Sequence, residues 1–351
     1  MGFIARKSGV SFPPNFPPIS SRSKSIPSSA QAQSTFITLE DVSRPSIFSM
    51  FRGFSVVLTG RVFRNRSGLS TPPRPGLMFG KTTGIRMTTR SDILNIEGVR
   101  IDVERRGKGR PLLLLHGEDG FEANLPLLDD LARNFEVVAP RMPGFGKSMA
   151  PESLRSIDDV SYVWLDLLDR LDLKSVTVLG FSAGGWLALE MATKNTSRIA
   201  RMVLAGSVGV KFGGAYDRDI EDIYFHNAKA VRAMRFHDPE KDPHLDLTTL
   251  SKREAMGLAR SREAIAKLCW EPYFHNPSLR HRLHRADVPV QVVWGAKDGM
   301  TAPKYGRALA KSLPTGRFGS IPKAGHFPHI EQPERFAAVL KNFLDSTKGV
   351  R

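Results

Sequence analysis

A serine in a glycine-rich turn is the first residue of this chain that could do chemistry. Ser182 stands in the pattern G-x-S-x-G at residues 180–184, directly after a β-branched apolar run and before an alanine- and leucine-rich stretch. A strand, a sharp turn and a helix in that order expose a serine hydroxyl at the end of a sheet, and glycines give the turn room that a Cβ would fill. Because glycine and serine also occur in ordinary loops, the pattern alone leaves a nucleophile and a plain turn equally open.

A serine nucleophile needs a base within hydrogen-bond reach and usually an acid that orients the base. Asp298 and His326 are candidates for these two roles, because each follows a predicted strand and has a glycine within the three preceding residues. Asp298 alone is equally well explained as the cap of a helix beginning near Thr301. The order Ser, Asp, His after three separate strands favours a triad, in which Ser182 attacks, His326 moves the proton and Asp298 orients His326.

Alternating strands and helices must position these side chains. The predicted strands, marked by apolar runs, are residues 93–96, 99–103, 111–115, 135–138, 176–179, 199–204, 288–294 and 317–321. Helical spacing of apolar residues predicts helices over residues 157–171, 183–192, 303–313 and 333–344, and Ser156 with Asp159 is a candidate cap for the first of them. This alternation predicts an α/β fold with a mostly parallel eight-stranded sheet covered by helices on both faces.

The alternation of strands and helices stops between residues 210 and 285, where charged segments with helical spacing, such as residues 251–268, take its place. We interpret this stretch as a helical insertion. The predicted domains are therefore a core formed by residues 87–209 and 286–351, and a cap, or lid, formed by residues 210–285.

Three further motifs accompany the serine turn: Leu115-His116-Gly117, the glycine-rich run at residues 143–148, and Gly325-His326 followed by Glu331-Gln332-Pro333. With these motifs, residues 92–346 resemble the α/β-hydrolase fold superfamily, in its capped Ser-Asp-His branch of esterases and meta-cleavage-product hydrolases. The resemblance implies an oxyanion hole formed by the backbone N–H groups of Glu118 and Ala183. It leaves open where the side chains of Glu118 and Asp119 point, and these two carboxylates would repel an anionic substrate if they faced the site.

The resemblance implies a cofactor-independent serine hydrolase that cleaves carboxylic esters or lactones of modest size through an acyl-enzyme intermediate. The first alternative is hydrolysis of a carbon–carbon bond in a dienoic diketo acid, for which Arg232, Arg235 and Arg282 could supply a basic pocket. The second alternative is a small-molecule receptor on the same scaffold. Phe181 is the leading candidate for the pocket wall because it precedes the nucleophile, and Trp270 and Tyr273 of the insertion are further candidates.

Composition excludes several other classes of protein. The 351-residue chain carries a formal net charge of +16, but residues 1–90 hold +11 of it, so the remainder is only mildly basic and nucleic-acid binding is not expected. The single cysteine, Cys269, rules out an internal disulfide and is interpreted as a packing residue. His116 and His329 lack the spacing of metal ligands, and no phosphate-binding loop is present, so we expect neither a metal nor a cofactor.

Residues 1–86 are rich in Ser, Pro and Arg and too poor in sustained apolar periodicity to form a core. They are interpreted as a disordered leader or a start-site artefact, with an organelle transit peptide as the alternative. Their most apolar piece is interrupted by Arg52 and Arg61, which argues against a membrane span. We therefore expect a cytoplasmic enzyme, or an imported one if the leader is a targeting segment, that acts on a small molecule; a homodimer is left open.

Overall fold

The computed structural model describes residues 89–120, 125–214 and 216–349. The predicted leader, residues 1–86, lies outside these ranges. The described strands are β1 (Thr89–Ile96), β2 (Val99–Arg106), β3 (Arg110–Leu115), β4 (Phe135–Pro140), β5 (Val176–Phe181), β6 (Ile199–Ala205), β7 (Gly209–Val210), β8 (His275–Asn276), β9 (Val290–Gly295) and β10 (Gly316–Ile321).

Eight of the described strands form one sheet in the order β1-β2-β4-β3-β5-β6-β9-β10. β1 and β2 form an antiparallel hairpin and β2 pairs antiparallel with β4, whereas every pair from β4 to β10 is parallel. The hairpin turns at Glu97 and Gly98, which both have positive φ (45° and 89°), as a tight two-residue connection requires. The predicted α/β fold with a mostly parallel eight-stranded sheet is confirmed.

The central strands are buried on both faces, as their continuous apolar runs predict. Along β3, Leu113 and Leu115 pack into one hydrophobic cluster, while Leu112 and Leu114 pack into the other. Because successive side chains of a strand point to opposite faces, one run of leucines serves two cores. Helices on both faces of the sheet complete these cores.

The described helices are α1 (Leu125–Leu131), α2 (Ile157–Arg170), α3 (Ala183–Lys194), α4 (Ala228–Arg235), α5 (Lys252–Cys269), α6 (Leu279–Arg282), α7 (Pro303–Ser312), α8 (Pro328–Glu331) and α9 (Pro333–Ser346). α1 was not predicted, and it is too short, at 7 residues, to show much periodicity. α2 begins at a capping box, in which Ser156 and Asp159 each accept a hydrogen bond from the other's main-chain N–H.

Residues 210–285 contain helices α4, α5 and α6, together with the short strand β8. β8 pairs in parallel with β7 in a separate two-stranded sheet. The sequence predicts a helical insertion, and the structure adds this short strand to it. Two contacts tie it to the loop after β4: the Arg260 guanidinium donates to the Gly146 carbonyl, and Ala264 of α5 packs directly against Gly144. The division into a core and a cap at residues 210 and 285 stays a prediction.

Candidate active site

The serine turn joins β5 to α3 and forces Ser182 into a strained backbone conformation. Ser182 has φ 47° and ψ −115°, values that a side-chain-bearing residue rarely adopts. The flanking glycines permit the turn because a Cβ at Gly180 would lie 2.6 Å from the Gly184 carbonyl oxygen, and one at Gly184 would lie 2.1 Å from that of Leu115. The Ser182 side chain therefore leaves the end of β5 in a fixed direction.

Ser182, His326 and Asp298 form one continuous hydrogen-bonded chain. His326 Nε2 lies 2.9 Å from Ser182 Oγ, and His326 Nδ1 lies 2.8 Å from Asp298 Oδ2. All three residues are buried. The structure thus brings together the three residues predicted from separate strand ends, in the order and at the distances that proton transfer from the hydroxyl requires.

Asp298 both caps a turn and faces His326. It does not cap a helix, because α7 begins at Pro303 with Ala302 as its N-cap residue and no side-chain cap. Its Oδ1 accepts hydrogen bonds from the main-chain N–H groups of Met300 and Thr301, as a turn-capping carboxylate does. Its Oδ2 accepts from the Thr301 hydroxyl at 2.9 Å as well as facing His326. The turn therefore fixes the carboxylate that fixes the imidazole.

The loop that carries His326 is held by main-chain contacts on both sides. The buried Glu331 carboxylate accepts a hydrogen bond from the Gly325 N–H, and the Arg235 carbonyl at the end of α4 accepts one from the His326 N–H at 2.7 Å. Gly206 lies directly against the imidazole, because a Cβ there would be 3.2 Å from His326 Cε1. The predicted insertion thus contributes a hydrogen bond to the loop that positions the base.

The charges around His326 favour its protonated form. Burial alone would lower the pKa of the imidazole, but the ion pair with Asp298 and the nearby Glu118 carboxylate outweigh burial and raise the pKa above its ordinary value. A base that gains a proton readily is suited to accept the one that Ser182 loses.

The turn after β3 lies against the nucleophile. A Cβ at Gly117 would be 3.1 Å from Ser182 Cβ, so Glu118 begins next to the serine. Ala183 is the first residue of α3, where main-chain N–H groups have no partner within the helix. The two predicted oxyanion donors therefore belong to chain segments that meet at Ser182, and their role stays a prediction.

The side chains of Glu118 and Asp119 both pair with Arg235. Asp119 accepts a hydrogen bond from the guanidinium, and Glu118 Oε1 lies 3.4 Å from Arg235 Nη2. Glu118 also faces the triad, with Oε1 4.0 Å from His326 Nε2. The two carboxylates of the turn after β3 are therefore partly neutralised by one arginine from the predicted cap.

Comparisons with known proteins identify the fold family. The sequence profile described as the alpha/beta hydrolase fold matches residues 110–333, which is more than half of the chain. The chain belongs to the α/β-hydrolase fold family.

Its relatives and structural neighbours include hydrolases of varied chemistry. The chain is 27% identical over 276 residues to 2-hydroxymuconate semialdehyde hydrolase of Pseudomonas sp., covering 70% of this chain and 91% of that protein. It is 25% identical over 268 residues to pimeloyl-[acyl-carrier protein] methyl ester esterase of Neisseria meningitidis, covering 67% and 94%. A solved meta-cleavage product hydrolase of Pseudomonas fluorescens has the same fold, with a TM-score of 0.59 and 20% identity over 74% of this chain and 98% of that one.

The three residues predicted to line the substrate pocket, Phe181, Trp270 and Tyr273, have different surroundings. Phe181 is buried, its ring centroid lies 3.9 Å from that of His329, and it lines a narrow cavity together with Gly117 and Asp119. Trp270 is half exposed and packs edge-on against Tyr224. The pocket role of all three residues stays a prediction.

Tyr273 has its hydroxyl engaged in the insertion itself. The oxygen accepts from the Ile223 N–H at 2.8 Å, and the hydroxyl donates to the Glu221 carbonyl at 3.1 Å. Neither Tyr273 nor Trp270 makes a hydrogen bond or ring contact with the triad among the contacts that the structure describes.

Two other residues that could do chemistry, His116 and Cys269, are buried and have packing or bridging roles. His116 is buried, and its Nε2 accepts a hydrogen bond from the Met142 N–H, which joins the loops after β3 and β4. Burial raises the pKa of the Cys269 thiol well above its ordinary value, which disfavours a reactive thiolate.

Within residues 89–120, 125–214 and 216–349, no cluster of three or more His, Cys, Asp or Glu side chains is arranged to hold a metal ion. In the same ranges, no helix is both long enough and apolar enough to cross a bilayer.

Sequence reasoning missed two residues that support the site. The sequence indicates Thr301 only as the start of a helix, yet its hydroxyl donates a hydrogen bond to Asp298. A threonine three residues after an aspartate is a known turn pattern, and this pattern is the signal that could have indicated the contact. Glu331 was noted only as part of a family motif. Its role depends on the fold of the loop after β10, and no local pattern indicates it.

Proposed function

We propose that the protein is a cofactor-independent serine hydrolase that cleaves carboxylic esters or lactones through an acyl-enzyme intermediate. The observation that carries this proposal is the buried chain of hydrogen bonds from Asp298 through His326 to Ser182. Such a chain activates a hydroxyl that would otherwise be a weak nucleophile.

In the proposed mechanism, Ser182 Oγ bonds to the substrate carbonyl carbon while His326 Nε2 takes the hydroxyl proton. The tetrahedral intermediate then expels the alcohol, which leaves with that proton, and an acyl-serine remains. A water molecule repeats the cycle: His326 removes its proton, its oxygen attacks the acyl carbon, and the proton returns to Ser182 as the acid departs. Asp298 holds the imidazole in one tautomer and stabilises the imidazolium throughout.

The Glu118 and Ala183 N–H groups would bind the oxyanion of both tetrahedral intermediates. Two such donors contribute roughly 3 kcal/mol each to transition-state stabilisation, by analogy with the removal of single donors in other enzymes. Residues 210–285 would act as the lid that controls which substrates enter and limits the access of bulk water, while the one water molecule that deacylation needs is admitted.

The pairing of the arginines of the insertion argues against an anionic substrate such as a dienoic diketo acid. The carbon–carbon alternative needs a cation for the substrate carboxylate, yet Arg235 is paired with Asp119 and Glu118, and Arg232 is paired with Asp242 at 2.8 Å. Arg282 is half exposed and lies 4.0 Å from Asp158. The semialdehyde hydrolase relative supports the alternative, so a panel of esters, lactones and ring-cleavage products should be assayed side by side.

A fluorophosphonate probe tests the proposed nucleophile. We expect the wild-type protein and a Ser312→Ala control to be modified covalently, and Ser182→Ala to remain unmodified, as intact-protein mass spectrometry would show. Turnover of p-nitrophenyl butanoate separates an enzyme from a small-molecule receptor. A wild-type protein that reacts neither with the probe nor with short esters would refute the hydrolase proposal.

A further inference from the structure

The Glu118 side chain is a buried acceptor that the proposed mechanism does not use. The residue is 4% exposed, and within the described residues neither carboxylate oxygen accepts a hydrogen bond of normal geometry. An ionised carboxylate has room for about four hydrogen bonds, and leaving a buried one unsatisfied is unfavourable. Arg235 Nη2 lies 3.4 Å from Oε1 without forming such a bond, so the carboxylate keeps capacity to accept a donor from outside the protein.

The position of this carboxylate is fixed by the catalytic machinery. Glu118 Oε1 lies 4.0 Å from His326 Nε2, the atom that faces Ser182 Oγ. Because His326 Nε2 lies 2.9 Å from Ser182 Oγ, a carbonyl attacked by Ser182 would lie near the Glu118 carboxylate. A donor on the substrate close to the scissile carbonyl would reach it.

Glu118 is charged rather than neutral. Burial would raise the pKa of its carboxyl, but the Arg235 guanidinium, His326 and the Ser182 hydroxyl together outweigh burial and hold the pKa below its ordinary value. Arg235 is shared with Asp119, so two carboxylates face one guanidinium. Arg262, which also acts on Arg235, is solvent-exposed, and the pair of carboxylates with one guanidinium keeps a net negative charge.

We propose that the Glu118 carboxylate recognises the substrate by accepting a hydrogen bond from a hydroxyl or ammonium group near the scissile carbonyl. The inference rests on the proposed hydrolase function and narrows its substrate class to esters and lactones that carry such a donor. A neutral alkyl chain leaves the carboxylate unsatisfied, and a second carboxylate on the substrate meets like charge. Hydrogen bonds to charged groups are strong enough to change kcat/KM by about 10- to 100-fold.

Four p-nitrophenyl esters test this inference: butanoate, 3-hydroxybutanoate, 3-aminopropanoate and hydrogen glutarate, with spontaneous hydrolysis subtracted. For the wild-type protein we expect kcat/KM for the hydroxy and ammonium esters to exceed that for butanoate by about 10-fold or more, and the glutarate to be poorest. Glu118→Gln keeps the backbone N–H and the side-chain shape but removes the charge. It should reduce the ammonium preference by about 10-fold and improve the glutarate relative to butanoate.

The controls separate recognition from general effects. Glu334→Gln removes the same charge from an exposed position on α9 and should leave the ranking of the four esters unchanged. If Glu118 acted only through His326, its substitution would slow all four esters by a similar factor. An unchanged ranking in Glu118→Gln would therefore overturn the inference.

The wild-type ranking decides the matter even if Glu118→Gln does not fold, because a wild-type protein without preference for donor-bearing esters also overturns the inference. Fluorophosphonate labelling distinguishes this failure from failure of the proposed function. A wild-type protein that is labelled at Ser182 but shows no preference refutes only the role of Glu118. A protein that is neither labelled nor active refutes the hydrolase function and, with it, the inference.

Discussion

At the scale of single residues, Asp298 connects local folding to the proposed chemistry. One oxygen caps the turn after β9, and the other faces His326 and accepts the Thr301 hydroxyl. The turn therefore orients the acid before any substrate binds, and the acid orients the base. Such preorganisation is what a triad needs, since its members act as a unit.

Asp298→Asn should lower kcat by about 10⁴-fold, because an amide can hold His326 in the wrong tautomer. The measurement is steady-state hydrolysis of p-nitrophenyl butanoate. Thr301→Val removes only the supporting hydroxyl and should lower kcat by less than about 100-fold. An Asp298→Asn enzyme within tenfold of the wild type would argue against the assigned acid.

His329 should make the protein sensitive to mild acid. It is buried between the rings of Phe181 and Phe336, and burial lowers the pKa of its imidazole to about 3, from an ordinary value of 6.5. Because the folded-state pKa is depressed, the unfolded chain takes up this proton first as the pH falls. Stability is therefore lost between about pH 6.5 and pH 3. Between pH 7 and pH 5 this linkage amounts to about 2 kcal/mol.

Urea unfolding at pH 7 and pH 5 measures this effect. His329→Phe should lose about 2 kcal/mol less free energy of unfolding than the wild type over that interval. His284→Phe, at an exposed position, should keep the wild-type difference. Equal losses in His329→Phe and the wild type would show that the imidazole is not buried in its neutral form.

At the scale of elements, the junction of β5 and α3 is closely packed. α3 begins directly behind the nucleophile and packs so closely on β3 that no Cβ fits at Gly184. The sequence predicts this junction well, because its signals are local: a strand run, two glycines and a helical stretch within about twenty residues.

Gly184→Ala should lower the free energy of unfolding by about 3 kcal/mol or more, because the added Cβ would overlap the rigid Leu115 carbonyl. Gly257→Ala is the matched control. Gly257 lies inside α5 with no atom within 4 Å of an added Cβ, so alanine there should raise stability by about 0.5–1 kcal/mol. Urea denaturation of both variants is the measurement, and shifts of the same sign and size would contradict this account of the junction.

At the scale of the whole molecule, the sheet order brings distant parts of the chain to one edge. β5, β9 and β10 run parallel, so the turns that follow them deliver Ser182, Asp298 and His326 to the same side. The insertion adds a fourth contribution there, since the Arg235 carbonyl accepts the His326 N–H and its guanidinium pairs with Glu118 and Asp119.

Deleting residues 1–86 should leave kcat/KM unchanged and move Tm by no more than about 2 °C. The reason is that this segment has too little apolar periodicity to form a core, and β1 begins after it, at Thr89. Thermal denaturation and ester hydrolysis of the two proteins side by side provide the measurement. A large loss of either property would show that the leader contributes to the folded enzyme.

The sequence by itself determined most of the strands and helices, and the turns and caps at which they begin and end. Apolar period and glycine position are local properties, so they indicated the eight strands, the serine turn and the capping box of α2 without knowledge of distant contacts. They also indicated Ser182, Asp298 and His326 as candidates, because each follows a strand end. These local predictions agree with the structure because the preferences for strand, turn and helix act over a few residues.

Only the tertiary structure decided how these candidates meet. Ser182 and His326 are 144 positions apart, and their contact depends on strand order and loop direction, which no local pattern encodes. The same holds for Glu118 and Asp119: their pairing with Arg235, 116 positions after Asp119, could not be read from any local pattern. Electrostatic energy depends on distance and burial in space, so the negative character of the site became visible only once the chain was folded.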